Sequence, residues 1–140
     1  MIIRRAVEAD LAGILMVHYS IFPGSIDPSP GYEYSIRNNT VLIADDEGEV
    51  IGFGVLRGAV DSLYLLRENR GCGIGSLILE QLESIAKEQG IYTLKVYAHS
   101  PDPADLERLI AFYEHRGYKR LPVGSTTAGA DLVKELVKKN

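Results

Sequence analysis

The sequence predicts an α/β domain built on a mixed β-sheet, antiparallel in its N-terminal part and parallel at its centre. The antiparallel part is indicated by two apolar segments, residues 40–45 and 50–56, on either side of a polar turn that contains glycine. The parallel part is indicated by the βαβ order of residues 60–98, where an amphipathic helix joins two apolar strands. At 140 residues, without repeats or a long linker, the chain has the size of one domain.

The N-terminal elements follow from the spacing of apolar residues. Residues 2–6 have a strand pattern, and residues 8–19 repeat apolar side chains at helical spacing. Residues 22–30 are rich in proline and glycine, so we expect a turn-rich connection without a long regular element. Residues 32–38 leave room for roughly two helical turns. Loops of this kind, carried on a rigid sheet, commonly hold specificity residues.

Capping residues define the helices of the C-terminal half. The helix of the βαβ unit covers residues 73–89 and ends at Gly90, and strands are predicted at residues 60–66 and 91–97. Asp102 and Pro103 suit the N-cap and first position of another helix, which Gly117 ends. A strand is expected at residues 118–123. The pattern of the tail, residues 130–139, fits both a helix and a strand.

Composition and charge argue against several classes of protein. With 46% hydrophobic and 24% charged residues, the chain has an ordinary globular composition. Its net charge of −4 argues against electrostatic binding of nucleic acid. One cysteine and three dispersed histidines provide neither an intrachain disulfide nor a metal site. The apolar runs are much shorter than the roughly 20 residues of a membrane span, so we expect a cytoplasmic protein without a membrane partner.

The segment Arg70-Gly71-Cys72-Gly73-Ile74-Gly75-Ser76, between the first strand and the helix of the βαβ unit, predicts an anion site. Glycines allow an anion to approach the main chain closely, and the first amides of a helix have no partner within the helix. The dinucleotide fingerprint requires glycine where this chain has Ser76, and the lysine of a P-loop is absent. The spacing therefore disfavours both of those phosphate-binding motifs.

The same segment resembles the pyrophosphate loop of the GNAT family of acetyl-coenzyme A dependent N-acetyltransferases, Gln/Arg-x-x-Gly-x-Gly/Ala. A second segment, Phe112-Tyr113-Glu114-His115-Arg116-Gly117-Tyr118, is similar to the family's Tyr-Glu-x-x-Gly-Phe/Tyr motif. Both occur in the family's order, and the resemblance extends over most of residues 1–140. It implies a single N-acetyltransferase domain whose central parallel strands splay around the cofactor. It also implies that the tail is a strand.

The resemblance further implies that acetyl-CoA is the acyl donor and that no metal is needed. Its pantetheine arm would pair with the backbone of Leu63, Tyr64 and Leu65 like an added strand. Arg70 would add a charge-assisted contact to the pyrophosphate. The loop residues assigned to the same group are Gly71, Cys72, Gly73, Ile74, Gly75 and Ser76. Two departures from the family are Arg67, where many relatives have proline, and Leu106, where they have an asparagine that binds the arm.

Two residues are assigned to catalysis by the same resemblance. Tyr113 matches the general acid that protonates the departing thiolate, although helical spacing alone would also place an aromatic residue here. Asp61 lies where relatives often carry a glutamate, and a carboxylate acting through one water suits an amine of pKa about 10. A solvated residue at the start of a strand fits Asp61 equally well. His99, or a bound water, is the alternative base. Cys72 lacks a His/Asn partner, so we expect direct transfer without an acyl-enzyme.

The acceptor is left open by these residues. The family acts on primary amines of small molecules and of proteins, and the fold does not choose among them. A catalytically silent module that binds coenzyme A for regulation or assembly is the alternative function. An unpaired sheet edge also predicts pairing into a homodimer.

Overall fold

The described residues, 1–122 and 129–137, contain seven strands that form one mixed sheet in this computed structural model of the chain. The strands are β1 (Ile2–Arg5), β2 (Thr40–Asp46), β3 (Glu49–Leu56), β4 (Val60–Leu65), β5 (Thr93–His99), β6 (Lys119–Arg120) and β7 (Gly129–Glu135). The helices are α1 (Leu11–Ile21), α2 (Ser29–Asn38), α3 (Ile74–Glu88) and α4 (Pro103–Glu114). The strand order is β1-β2-β3-β4-β5-β7-β6, and β4 and β5 are parallel while their neighbours pair antiparallel. The predicted mixed sheet is confirmed.

The predicted hairpin between β2 and β3 has a two-residue turn. Glu47 and Gly48 have φ values of 52° and 92°, as a turn that follows the twist of the strands requires. The carboxylate of Asp45 accepts a hydrogen bond of 2.8 Å from the backbone N–H of Gly48. This turn fixes the register of the hairpin that leads into the centre of the sheet.

The apolar core is divided between the two faces of the sheet. On one face, α3 and α4 pack against the strands through a cluster that includes Ile78, Leu82 and Ile110. On the other face, a smaller cluster brings Ile14 and Val17 of α1 against Phe53 and neighbouring strand residues. The sheet thus separates a core under α3 and α4 from a core under α1.

Close packing on the first face depends on Gly54 of β3. A Cβ atom at this position would lie 2.8 Å from Ile78 Cγ2 and 2.9 Å from Leu82 Cδ1. Because these distances are shorter than normal carbon contacts, a larger residue would push α3 away from the strands. Gly54 therefore fixes the height of α3 above the sheet.

Several element boundaries differ from the sequence prediction by one to three residues. The helical turns predicted at residues 32–38 are confirmed, but α2 begins earlier, at Ser29, inside the segment expected to be a turn-rich connection. The helix predicted at residues 8–19 is divided into a 3-10 helix at Glu8–Asp10 and α1. Asp27 accepts a hydrogen bond of 2.9 Å from the N–H of Ser29, and Pro30 is compatible with a first helical turn. Strand β5 begins at Thr93 rather than at residue 91, because the N–H of Ile91 is still bound to the carbonyl of Ala86 at the end of α3.

The C-terminal elements agree with the prediction where the structure describes them. Asp102 caps α4 by accepting a hydrogen bond of 3.0 Å from the N–H of Ala104. The tail forms strand β7, as the family resemblance implies. The strand expected at residues 118–123 is reduced to β6, and Val123 lies outside the described residues. No helix in residues 1–122 or 129–137 is long and apolar enough to cross a membrane.

A partly buried ion pair connects the N-terminal strand to the start of α1. Arg4 donates hydrogen bonds of 2.9 Å to both carboxylate oxygens of Asp10 and one of 3.0 Å to Asp45. Asp10 also accepts a 2.7 Å hydrogen bond from the N–H of Val7. The hydrogen bonds from Arg4 lower the pKa of Asp10 below its ordinary value, while its burial acts in the opposite direction.

This lowered pKa predicts an acid-labile contribution to stability. Below the ordinary aspartate pKa of 3.8, the unfolded chain takes up a proton before the folded chain does, so the contribution is present above that pH and is lost on further acidification. We expect Asp10→Asn to lower the free energy of unfolding at neutral pH by about 1–3 kcal/mol. Denaturant titrations at neutral and acidic pH test this, because the difference from wild type should shrink in acid. Asp46→Asn, at an exposed neighbouring position, is the control and should show no such pattern.

Candidate functional site

The main feature of the site is a gap between the two parallel strands. Within the described residues, β4 and β5 share one register pair, Val60 with Val96. Both strands continue past this pair, to Leu65 and His99, without pairing to each other. Main-chain groups of β4 therefore face an opening where an extended ligand can add like a strand.

A cleft of about 360 Å³ lies at this opening. Every residue that the sequence assigned to cofactor binding lines it, except Cys72, which is exposed. The further lining residues are Ile21, His99, Ser100, Asp105, Arg108, Leu109, Phe112 and Arg116. The structure thus brings the glycine segment, the end of β4 and one side of α4 together around a single space.

Two glycines of the segment are required by the backbone conformation. Gly71 and Gly73 have φ values of 82° and 83°, and a Cβ atom at either position would meet no other atom within 4 Å. Such left-handed conformations favour glycine, and the open space leaves the main chain accessible to a ligand. Gly73 directly precedes α3, whose first amides point out of the helix. The segment therefore has the geometry of an anion site.

Gly75 lines the cleft and also allows α4 to pack closely against α3. It lies in the first turn of α3, where a Cβ atom would approach the Phe112 ring to 3.3 Å. Phe112 in turn lies beneath the guanidinium of Arg116, which is 3.8 Å from the ring centroid. Arg116 also donates hydrogen bonds to the hydroxyl of Ser76. These contacts hold α4 against the glycine segment.

Asp105 forms ion pairs with three arginines at the edge of the cleft. Its carboxylate lies 3.3 Å from Arg70 Nη1 and 3.8 Å from Arg67 Nη2, and it also pairs with Arg108. Neither Asp105 nor Arg108 was predicted as a site residue from the sequence, although their spacing of three on α4 places them on one helix face. Arg116 was also missed as a lining residue, although it belongs to the second motif. Together these residues give the cleft a cationic wall with one internal carboxylate.

Tyr113 lies behind the cleft wall rather than in it. Its side chain is fully buried, and its hydroxyl has no hydrogen-bond partner among the described residues. Burial, with a smaller contribution from nearby Tyr64, raises the pKa of Tyr113 well above its ordinary range. The adjacent residues Leu109 and Phe112 line the cleft, whereas Leu106 is part of the core. An unpaired buried hydroxyl is costly in folded proteins, so the Tyr113 hydroxyl is an exception among the described buried polar groups.

Asp61 lies outside the main cleft. Leu56 pairs with Val60 and Val55 pairs with Ser62, so Asp61 is the extra residue of a β-bulge. Its carboxylate lies 2.8 Å from Nε of Arg57. It lines a second recess, together with Tyr32, Ser35 and Ser62 among others. The structure therefore places Asp61 on the α2 side of the sheet and in an ion pair.

Aromatic rings border the cleft on the side of the sheet that carries α1 and α2. The hydroxyl of Tyr64 donates a hydrogen bond of 3.0 Å to the carbonyl of His99. The His99 ring stacks against Phe22, at 5.2 Å between centroids, and against Tyr97, at 5.6 Å. His99 lines the cleft, as its position after the strand predicted.

A hydrogen-bonded histidine that the sequence analysis did not assign lies next to this aromatic group. His18 of α1 is bonded through Nδ1 to the hydroxyl of Tyr32, at 2.8 Å, and through Nε2 to the hydroxyl of Ser25, at 2.9 Å. Burial lowers the pKa of His18 below its ordinary value. Burial also raises the pKa of Tyr32 to about 12, although a hydrogen bond with Ser62 acts in the opposite direction. No sequence pattern links these residues, because they come from three separate elements.

Within residues 1–122 and 129–137, no group of three His, Cys, Asp or Glu side chains is arranged to hold a metal ion. The polar groups that the site presents are main-chain amides, arginines, tyrosines, histidines and single carboxylates. This set suits an anionic ligand that lies along β4 and ends near buried hydroxyls.

Comparison with known proteins identifies what this arrangement is similar to. The family model described as Acetyltransferase (GNAT) domain matches residues 37–120. The chain is similar to aminoglycoside 6'-acetyltransferase type Ii, with 20% identity, 100% coverage of both chains and a TM-score of 0.79. It is similar to PaiA N-acetyltransferase from Thermoplasma acidophilum in complex with coenzyme A, with 19% identity, coverage of 96% of this chain and 98% of that chain, and a TM-score of 0.71.

A third similar structure is ribosomal-protein-alanine N-acetyltransferase from Brucella melitensis. Its identity is 22%, the coverage is 97% of this chain and 100% of that chain, and the TM-score is 0.75. A comparison with curated protein sequences gives no significant match. At these identities the solved structures establish the fold, and the family model carries the assignment.

Proposed function

Since the chain belongs to the GNAT family of acetyl-CoA dependent N-acetyltransferases, we propose that it transfers the acetyl group directly to a primary amine of a small molecule or a protein. One observation carries this proposal: the left-handed glycine segment before α3 and the unpaired edge of β4 line the same cleft. A diphosphate with an extended amide-containing arm is the kind of ligand that both features fit. Bound acetyl-CoA supplies the thioester carbonyl that the amine attacks.

The residues proposed to hold the donor fall into two groups. Open space at Gly71 and Gly73 and the exposed amides at the start of α3 fit a pyrophosphate, and Arg70 is near enough to add charge. The backbone of Leu63, Tyr64 and Leu65 faces the gap and would pair with the pantetheine arm. Cys72 is proposed to bind the donor only through its backbone amide, because its side chain is exposed.

Tyr113 is proposed as the general acid. Its hydroxyl remains protonated at neutral pH because burial raises its pKa, and it has no competing hydrogen-bond partner among the described residues. Its neighbours Leu109 and Phe112 on α4 line the cleft, which supports a position of the Tyr113 side chain close behind the cleft wall. The hydroxyl would donate its proton to the sulfur as the carbon–sulfur bond breaks.

The base and the acceptor are proposed in more general terms. Asp61 with a water, and His99, are both retained as bases, and an acceptor would have to compete with Arg57 for the carboxylate of Asp61. Two of the similar structures are named for different acceptors, an aminoglycoside and a ribosomal-protein alanine. We therefore propose a primary amine without choosing its carrier. Homodimerisation, a cytoplasmic location and the absence of nucleic-acid and membrane partners stay predictions.

Turnover of acetyl-CoA with a panel of primary amines tests the proposed function. The panel contains alkylamines, polyamines, aminoglycosides and peptides with free N-termini and lysines. We expect release of the coenzyme A thiol that depends on the amine and matches the amount of acetylated product. Firm acetyl-CoA binding without turnover of any amine would instead support the silent binding module.

Gly73→Val should weaken acetyl-CoA binding by about 100-fold, or ~3 kcal/mol. The new side chain would occupy the open space beside the helix amides, and the positive φ of 83° would add backbone strain. Calorimetry with the folded variant measures the loss. Gly58→Val is a matched control, because Gly58 has φ of 72° and open space around it but lies in the turn between β3 and β4, outside the cleft. Equal affinities of the two variants would contradict the proposed pyrophosphate site.

Tyr113→Phe should lower kcat by about 100-fold or more while leaving acetyl-CoA affinity nearly unchanged. The substitution removes a hydroxyl without a protein partner, so the free energy of unfolding should not fall. Tyr118→Phe is the comparison, because the Tyr118 hydroxyl donates a 2.7 Å hydrogen bond to Glu83 away from the cleft. That variant should lose stability and keep kcat. Wild-type kcat in Tyr113→Phe would remove the acid assignment.

A further inference from the structure

A continuous chain of hydrogen bonds lies on the α1 and α2 side of the sheet. Ser25 is bonded to His18 Nε2 at 2.9 Å, and His18 Nδ1 is bonded to the Tyr32 hydroxyl at 2.8 Å. The chain therefore runs from an exposed loop residue through a histidine to a tyrosine that lines the second recess.

The inner end of this chain, the Tyr32 hydroxyl, belongs to a residue of the second recess. Ser62 directly precedes Leu63, the first β4 residue that lines the cleft, and Tyr32 and Ser62 line the second recess. The Phe22 ring packs between His18 and two residues of the cleft, at 5.0 Å from the ring of His18, 5.4 Å from that of Tyr64 and 5.2 Å from that of His99. An amine that entered through the second recess would meet Tyr32 there.

The surroundings of His18 favour the neutral imidazole. The titratable groups in contact with its ring are Tyr19 on its own helix and Tyr32 on α2, and both are tyrosines rather than carboxylates or amines. No Asp, Glu, Lys or Arg side chain of the described part of the chain pairs with it. Burial lowers its pKa, so the ring enters a reaction at neutral pH able to accept a proton.

The other candidate bases are less free to act. The carboxylate of Asp61 is 2.8 Å from Nε of Arg57. To accept a proton, this carboxylate would first have to leave the ion pair. The His99 ring is stacked on both faces by Phe22 and Tyr97. His18, in contrast, already has one nitrogen bonded toward the interior and the other toward an exposed hydroxyl.

We infer that His18 takes up, through Tyr32, the proton that the acceptor ammonium must lose before it attacks the thioester. An N–H proton of the ammonium moves to the Tyr32 oxygen as the proton of that hydroxyl moves to Nδ1 of His18. The imidazolium then releases its Nε2 proton to water beside Ser25, and exchange with solvent restores the starting tautomer. No electron is transferred and no covalent bond to the protein forms. This inference rests on the proposed function, because it assigns a proton path to the same transfer.

The test compares amines that do and do not need a base. The probes are the alkylamine that the wild-type protein acetylates fastest and its counterpart with three β-fluorine atoms, whose much lower pKa leaves it largely neutral at neutral pH. For the alkylamine, we expect His18→Gln and Tyr32→Phe each to lower kcat/KM by about 100-fold near neutral pH. The loss should shrink at alkaline pH, and the fluorinated amine should show little loss at any pH. His115→Gln, at an exposed position on the far end of α4, controls for the loss of a histidine and should keep the wild-type profile.

Other outcomes would overturn the inference. An equal loss with both amines at every pH would mean that His18 and Tyr32 only hold the loop after α1. Wild-type rates in Tyr32→Phe, which keeps the ring packing against Phe53, would exclude the path even if His18→Gln failed to fold. The expected pattern in Asp61→Asn alone would assign the base to Asp61. Failure of the wild-type protein to acetylate any amine would instead refute the proposed function, and the two failures are thereby distinguished.

Discussion

Parallel pairing between β4 and β5 stops after Val60 and Val96, and main-chain groups beyond that pair need other partners. In a parallel sheet the connection after β4 must return through a helix, so the N-terminus of α3 comes to the same end of the sheet as the gap. The exposed amides of a helix start and the free edge of a strand are therefore neighbours by topology. An extended ligand with an anionic end can satisfy both at once.

Local patterns predicted the elements well because caps and turns act over a few residues. Asp102 and the turn at Gly48 were found in this way, and so was the glycine segment before α3. Contacts between distant segments left no such pattern. Arg116 reaches Ser76 across 40 positions of the sequence, and Arg70 reaches Asp105 across 35. A bulge at Asp61 also depends on register with a neighbouring strand, so its displacement from the cleft was not visible in the sequence.

Acetyl transfer from a thioester to an ammonium needs one proton delivered to sulfur and another removed from nitrogen. In the proposed site these tasks belong to groups from different faces of the sheet, Tyr113 from α4 and His18 from α1. Both are buried enough to remain neutral at neutral pH, one as a donor and the other as an acceptor. A ligand in the gap between β4 and β5 would lie between the two faces of the sheet. The proposed mechanism therefore requires no movement of α1 or α4.

The division of the apolar core by the sheet has a consequence for how such a protein diversifies. Residues under α1, such as Ile14 and Phe53, belong to a cluster separate from that of Ile78 and Leu82 under α3, although Leu66 packs against both. Substitutions at positions without shared contacts tend to combine additively in their effect on stability. Away from Leu66, mutations under α1 are thus expected to show little epistasis with mutations under α3. Specificity for the amine could therefore change during evolution while the binding of the acyl donor is retained.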